Sequence, residues 1–253
     1  MGTYAVTGSA RGIGGAIRAR VEAGGHDVIG VDLAGQEVEA DLSTPAGRQA
    51  AVTAITDRAG GSLDGVVVCA GLPPTWASVE DIAQVNYFGA VEVLDGLRPL
   101  LEADGGGSAV AISSNSLGTV AEDDEPLIGP LLAGDVDAAV AAARELHGIQ
   151  VYGMSKRALA RAVRHRAVSW AEAGVRLNAI APGAVQTALL QHTLDDPVVG
   201  RFVEEFPIPV GRRGTVDDIA DAVWWMLVEA TFMVGSVVFV DGGSDAQLRP
   251  DAV

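Results

Sequence analysis

The chain has 253 residues, 33 acidic and 17 basic, for a formal charge of −16, and 49 % of them are hydrophobic. That balance supplies a core, excludes a disordered chain and argues against a general nucleic-acid binder, which needs a cationic face. A single cysteine, Cys69, excludes an intrachain disulfide, and four scattered histidines give no spacing for a metal site.

The N-terminus reads directly into a strand, and no apolar run reaches the ~18 residues that span a bilayer. The expectation is a cytoplasmic protein that does not bind membranes. Residues 4–6 form the first apolar run, followed by a Gly-rich turn. Ile13, Ile17 and Val21 at helical spacing predict a helix over 13–23, stopped by Gly24 and Gly25. Strands are predicted over 27–32, 38–40 and 66–69, with Ser43 or Thr44 capping an intervening helix that has Pro45 in its first turn. The 66–69 run is apolar throughout, as in a parallel strand buried on both faces.

A helical pattern then runs to about 101, followed by a strand over 109–112, a helix over 152–173 and a strand over 175–180. A late helix begins near Thr215 and a last strand covers 236–240. Strands alternating with helices imply right-handed crossovers and an α/β fold. The expectation is one doubly wound Rossmann domain over 1–253, with a mostly parallel central sheet and helices on both faces. Residues 119–150 interrupt the alternation as an insertion before the next helix. Its first half is acidic at Glu122, Asp123, Asp124 and Glu125, and 135–146 should be helical on propensity.

Thr7-Gly8-Ser9-Ala10-Arg11-Gly12-Ile13-Gly14 lies between the first strand and first helix. Glycines there let the backbone turn tightly and approach a pyrophosphate, and the helix N-terminus offers it free N–H groups. Asp32 ends the second strand, where a carboxylate accepts from an adenosine ribose and repels a 2′-phosphate. NAD is therefore favoured over NADP. Arg11 is the contrary signal, a cation able to hold a 2′-phosphate. Asp41 and Leu42 are placed to cover the adenine, and Ala70 and Gly71 to admit the cofactor ribose.

Of the 17 basic residues, sixteen are arginine and one is lysine, Lys156. It stands four residues after Tyr152, on one helix face. A nearby ammonium favours the phenolate of a tyrosine, and a poised phenol exchanges a proton with a carbonyl oxygen or an alcohol. Ser113 and Ser114 end the fifth strand, at the edge where ligands bind, and a hydroxyl there can stabilise an oxyanion. Asn86 is polar in an apolar helical stretch, suited to hold a water or to bend the helix.

The glycine loop, Asn86, Ser114, Tyr152 and Lys156 together resemble the short-chain dehydrogenase/reductase family over essentially the whole chain. Cys69-Ala70-Gly71, Pro182-Gly183 and Asp241-Gly242-Gly243 add to the resemblance. It implies hydride transfer to or from a nicotinamide cofactor. By that resemblance Tyr152 is the acid/base, Lys156 holds the ribose and lowers the tyrosine pKa, Ser114 positions the carbonyl oxygen, and Asn86 supports a proton relay. Pro182, Gly183, Val185 and Thr187 would seat the nicotinamide, with Gly8, Ala10, Arg11, Gly12, Ile13 and Gly14 on the diphosphate side. Ser113 and Ser116 compete with Ser114, whose choice rests on the family register. Cys69 stands where the family more often has asparagine.

A closer resemblance is to the bacterial 3α-hydroxysteroid dehydrogenase/carbonyl reductases. It is carried by 40–44, 85–90 and 171–178, and by the size and place of the insertion. The segment 188–213, with Leu189, Leu190, His192, Phe202, Val203 and Phe206, should form a lid over the substrate, and Pro73-Pro74-Thr75-Trp76 adds an aromatic ring. Expected substrate contacts are Ser114, Ser116, Tyr152, Leu189 and Leu190. The residues support an apolar alcohol/ketone pair, and a steroid comes from the resemblance. A homodimer or homotetramer is expected, through the Tyr152 helix or the 235–243 end. The alternatives are a non-catalytic NAD-sensing regulator and an enzyme of the same fold with a different reaction.

Overall fold

A computed structural model gives the structure of the chain and describes residues 1–120 and 125–251. Seven parallel strands run β1 (Thr3–Thr7), β2 (Asp27–Asp32), β3 (Val38–Glu39), β4 (Gly65–Val68), β5 (Ser108–Ile112), β6 (Arg176–Pro182) and β7 (Val237–Val240). Their spatial order is β3-β2-β1-β4-β5-β6-β7, so the chain winds outward from β1 in one direction and from β4 in the other. The reversal between β1 and β4 opens a crevice at the carboxyl ends of these two strands, where ligands bind in such sheets.

The sequence puts the central strands where they are. Every residue of β4 and β5 is buried. Val66 and Val68 enter one apolar cluster and Val67 the other, as the strand period of two requires. The first face is covered by α2 (Pro45–Arg58), α4 (Gly89–Glu102) and α7 (Gly148–Glu172), through Ile55, Leu94, Leu97, Leu159 and Trp170. The second is covered by α1 (Gly12–Ala23) and α10 (Val216–Val228), through Ile17, Val21, Val223 and Met226. Caps fix the helix starts: Thr44 Oγ1 accepts from Gly47 N–H in α2, and Thr215 and Asp218 cap each other's backbone in α10.

Several elements differ from the sequence expectation for local reasons. Helix α7 begins at Gly148, a turn before Tyr152, because His147 Nδ1 accepts from Ile149 N–H and Gln150 Oε1 accepts from His147 N–H. Imidazole is an uncommon cap, so no Ser, Thr, Asp or Asn announced it. The helical stretch before β5 is broken into α3 (Val79–Ala83), a π-helical turn over Gln84–Phe88, and α4. In the insertion, α6 (Val136–Arg144) falls within the expected 135–146, capped by Asp135, and a further helix α5 (Ile128–Ala133) packs on α7. Glu122, Asp123 and Asp124 lie outside the described residues, and Glu125 pairs with Arg161 at 2.6 Å and Arg157 at 3.1 Å. Residues 188–213 hold α8 (Ala188–Leu194) and α9 (Val199–Glu204), and α11 (Ser244–Leu248) follows β7. Among the described residues no helix is long and apolar enough to cross a membrane.

Candidate active site

The carboxyl ends of the strands open into a cavity of about 840 Å³. Gly8, Arg11, Gly12, Ile13, Gly14, Asp32, Asp41, Leu42, Ala70, Gly71, Ser114, Ser116, Tyr152, Lys156, Pro182, Gly183, Val185, Thr187, Leu189 and Leu190 all line it. Of the residues singled out in the sequence, Ala10 and Asn86 do not, and each instead holds a residue that does.

At one end, Gly12 has φ +59°, in the left-handed region, and Gly14 lies against the loop it closes. A Cβ on Gly14 would stand 2.1 Å from the Gly8 carbonyl oxygen. Helix α1 starts without a side-chain cap, in contrast to α2 and α10, which leaves its first-turn N–H groups to the cavity. The Asp32 carboxylate is held from both sides, by Ala10 N–H at 3.0 Å and Leu33 N–H at 2.8 Å. This end fits a dinucleotide: an uncapped helix start, a side-chain-free approach and a fixed carboxylate at the ribose position. Beneath it, Thr7 Oγ1 accepts from Cys69 and Ala70 N–H, tying the loop after β4 to β1. Burial pushes the Cys69 thiol up to about 12.

At the other end, Tyr152 and Ser114 line the same cavity, and the Ser114 hydroxyl acts on the phenol to lower its pKa. Ser114 Oγ also accepts from Ser116 N–H at 3.2 Å. Ser113 is turned away, and its Oγ donates to the Lys156 carbonyl at 2.8 Å. The geometry thus sets two of the competing serines apart: Ser113 is spent tying β5 to α7, and Ser114 is the one that acts on the phenol. Ser116 Oγ and Asn115 Nδ2 are buried with no hydrogen-bond partner among the described residues, so this wall holds unspent polar atoms for a ligand.

Lys156 is buried, and its Nζ donates to the Ile112 carbonyl at 2.9 Å, 5.9 Å from the centre of the Tyr152 ring. Desolvation pushes the ammonium down to about 8. Burial also pushes the Tyr152 phenol up, against a lowering by the neighbouring Ser114 hydroxyl. The sequence reading had Lys156 lowering that phenol. In the chain alone desolvation prevails, because the lysine is aimed at a strand-end carbonyl.

Asn86 sits in the π-helical turn, fully buried. Its Oδ1 accepts from Leu72 N–H at 2.7 Å, and its Nδ2 donates to the Leu72 carbonyl at 3.0 Å. A Cβ on Gly71 would lie 3.2 Å from Asn86 Oδ1 and 3.5 Å from Lys156 Nζ, so the 71–72 backbone is clasped beside the lysine.

Above Tyr152 the cavity becomes apolar, with Leu72, Trp76, Leu189, Phe202, Val203 and Phe206 in its walls. His192 Nδ1 and Thr75 Oγ1 share a hydrogen bond of 2.8 Å, joining α8 to the Pro-Pro loop across the mouth. Two features escaped the sequence reading: this tie, and the buried Arg48, which donates to the Leu42 carbonyl, Gln84 and Glu92. Neither has a local signature, since its partners come from distant segments.

The family model described as short chain dehydrogenase matches residues 3–121, and that described as Enoyl-(Acyl carrier protein) reductase matches 136–245. The 3-alpha-hydroxysteroid dehydrogenase/carbonyl reductase of Comamonas testosteroni is 41 % identical over 254 residues, 99 % of each chain. The crystal structure of the 3-alpha-hydroxysteroid dehydrogenase from Pseudomonas sp. B-0831, complexed with NADH, matches with a TM-score of 0.97 at 42 % identity, covering 99 % of this chain and 100 % of that one. Levodione reductase matches with a TM-score of 0.76 at 25 % identity, covering 96 % of this chain and 97 % of that one.

Proposed function

The chain belongs to the short-chain dehydrogenase/reductase family and is an oxidoreductase, and from that premise we propose that it interconverts a secondary alcohol and a ketone with NAD. The observation that carries this reading is that Ser114, Tyr152 and Lys156 meet on one cavity wall, with the lysine buried. NAD, when bound, supplies the site that accepts or releases hydride. Every other part belongs to the chain.

In oxidation, Tyr152 takes the proton from the substrate hydroxyl, and in reduction it returns one to the ketone oxygen. Ser114 donates to that same oxygen and steadies its developing charge. Lys156 holds the ribose with its compact head and, once there, biases the phenol toward ionisation. Asn86 acts through others: it fixes the Leu72 backbone, and with it the Gly71 surface beside Lys156. The PGAVQT stretch seats the nicotinamide, with Val185 pinned by its bridge to Gly214 and Thr187 capping α8.

Asp32 makes the cofactor NAD rather than NADP. Its carboxylate lines the cavity at the end of β2, where it would accept from a ribose hydroxyl and repel a 2′-phosphate. The NADH bound to the Pseudomonas enzyme supports this choice. The substrate is apolar, with a steroid among the candidates. The walls of Trp76, Leu189, Phe202 and Phe206 support that, as do the names of the Comamonas and Pseudomonas relatives. Helices α8 and α9 serve as the lid over it.

Self-association follows the same reading. Helix α5 covers part of α7, whereas Trp225, Val228, Phe232 and Val234 are exposed apolar residues around α10 and the start of β7. The α10–β7 end is therefore the surface shared in a homo-oligomer.

The test is a panel of secondary alcohols, steroids included, mixed with the protein and NAD⁺ or NADP⁺ and followed by reduced-nicotinamide absorbance. Turnover of an apolar alcohol with NAD⁺ is expected. Cofactor binding without turnover across the panel would defeat the reading.

A further inference from the structure

In a chain with sixteen arginines and a charge of −16, almost every guanidinium is engaged. Most meet a carboxylate, such as Arg18 with Glu37 at 2.7 Å, Arg166 with Asp95 at 2.8 Å and Arg212 with Asp218 at 2.7 Å. Others are spent on carbonyls, as Arg176 is on Met226, Leu227 and Ala230. Among the described residues only Arg11 and Arg213 have a guanidinium with no hydrogen-bond, ion-pair or ring partner. Acidic groups outnumber basic ones about two to one, so two unpaired arginines are an exception with a location.

That location is shared. Arg11 lies on the glycine loop and lines the main cavity. Arg213, half-buried, lines a second pocket of about 320 Å³ with Gln186, Thr187, Leu190, Gln191 and Leu194. Thr187 and Leu190 line both spaces, so the two open against a common wall. Gly12 faces that wall directly: a Cβ there would stand 3.7 Å from Thr187 Cγ2. The backbone bridge between Val185 and Gly214, with Gln186 N–H to the Gly214 carbonyl at 2.9 Å, fixes the residue next to Arg213 against the stretch leading to Thr187.

Resting on the reading that the cavity takes a nicotinamide dinucleotide, we propose that Arg213 is a further cofactor-binding residue. It closes on the cofactor diphosphate from the α8 side, opposite Arg11 on the loop side. A dinucleotide is an anion approaching an acidic protein, and two unpaired guanidiniums on adjoining pockets supply the local positive potential that draws it in. Gln186 and Gln191 carry no charge to compete with that anion. The arginine fork donates two parallel hydrogen bonds to phosphate oxygens, which a lysine does not.

The test uses the full-length protein, with NADH, NADPH, ADP-ribose and adenosine titrated against tryptophan fluorescence at low and at physiological ionic strength. Arg213→Gln is expected to weaken NADH, NADPH and ADP-ribose by about tenfold, the scale of a lost charged hydrogen bond. Its binding should also depend less steeply on salt, while adenosine binding stays as in wild type. Arg213→Lys should restore the salt dependence but only part of the affinity. Unchanged NADH affinity and salt dependence in Arg213→Gln would overturn the proposal. So would a loss confined to NADPH, which points to the 2′-phosphate, or an equal loss for adenosine, which points to a structural role. A wild-type protein that binds neither dinucleotide defeats the cofactor reading itself, a result distinct from all of these.

Discussion

Lys156 Nζ donates a 2.9 Å hydrogen bond to the main-chain carbonyl of Ile112, the last residue of β5. The chain's one lysine is thus fastened to the strand end that presents Ser113 and Ser114. Its burial, rather than an acidic neighbour, dominates its titration and pushes it down to about 8. A protein with a single lysine allows a direct measurement. ¹⁵N-lysine labelling should give one side-chain signal, titrating near pH 8 and well below the ~10.4 of a free lysine. The sign follows by linkage. Between those values the unfolded chain holds the proton that the folded chain has released, so this group's contribution to stability rises with pH across the window. A signal titrating at the free value would contradict the burial.

Lys156→Arg keeps the charge but places a planar fork in a fully buried slot shaped by Ile112 and Tyr152. Activity should fall by at least about a hundredfold, the scale of a misplaced proton-transfer partner. Steady-state kinetics with a saturating alcohol would check this, and a near-normal rate would make the lysine a compositional accident.

Tyr152→Phe should lower kcat by about 10²–10⁴ while NADH binding survives, since the phenol oxygen alone is lost. Ser114→Ala should lower kcat by about 10²–10³ and also shift the pH profile. The Ser114 hydroxyl lowers the phenol pKa, so its loss raises that pKa further. In the oxidation direction the phenolate is the base, and the midpoint of the rise in rate should therefore move to higher pH. An unmoved midpoint in Ser114→Ala would place that limb on another group.

Asp32→Ala removes a carboxylate that accepts from Ala10 and Leu33 N–H even without ligand. KM for NAD should rise by about tenfold with kcat little changed, and the ratio of NAD to NADP efficiency should fall. A variant that still rejects NADP as strongly as wild type would move the selectivity elsewhere in the loop.

Arg48→Met tests a contact far from any reacting atom. The guanidinium is buried, pairs with Glu92 at 2.7 Å and holds the Leu42 carbonyl at 3.2 Å. Its loss should cost about 2–3 kcal/mol, less than a fully buried pair because Glu92 is partly exposed. Chemical denaturation measures this. NADH affinity should weaken with it, because Leu42 lines the cavity proposed to take the cofactor.

Much of this was legible in the residues. The glycine loop, Asp32 and the Tyr152–Lys156 pair carry local signatures, a spacing or a strand end, and the structure gathers them at one sheet edge. The start of α7 was not legible, because His147 is an unusual cap. The break at Asn86 was not, because a π-helical turn has no periodic signal of its own. Among three serines the chain order was neutral. Only the course of the backbone after β5 spends Ser113 on the Lys156 carbonyl and leaves Ser114 on the cavity wall with Tyr152.

By itself, the sequence determined the parallel sheet and the residue types at its carboxyl edge. Both follow from periodicity and short-range chemistry, which a linear string records. Tertiary structure decided the charge state of that edge. It buried Lys156 and half-buried Tyr152 beside it, and desolvation is the leading cause of both shifts. It also decided which arginines were left unspent, because an ion pair is a meeting of segments that lie far apart in the chain.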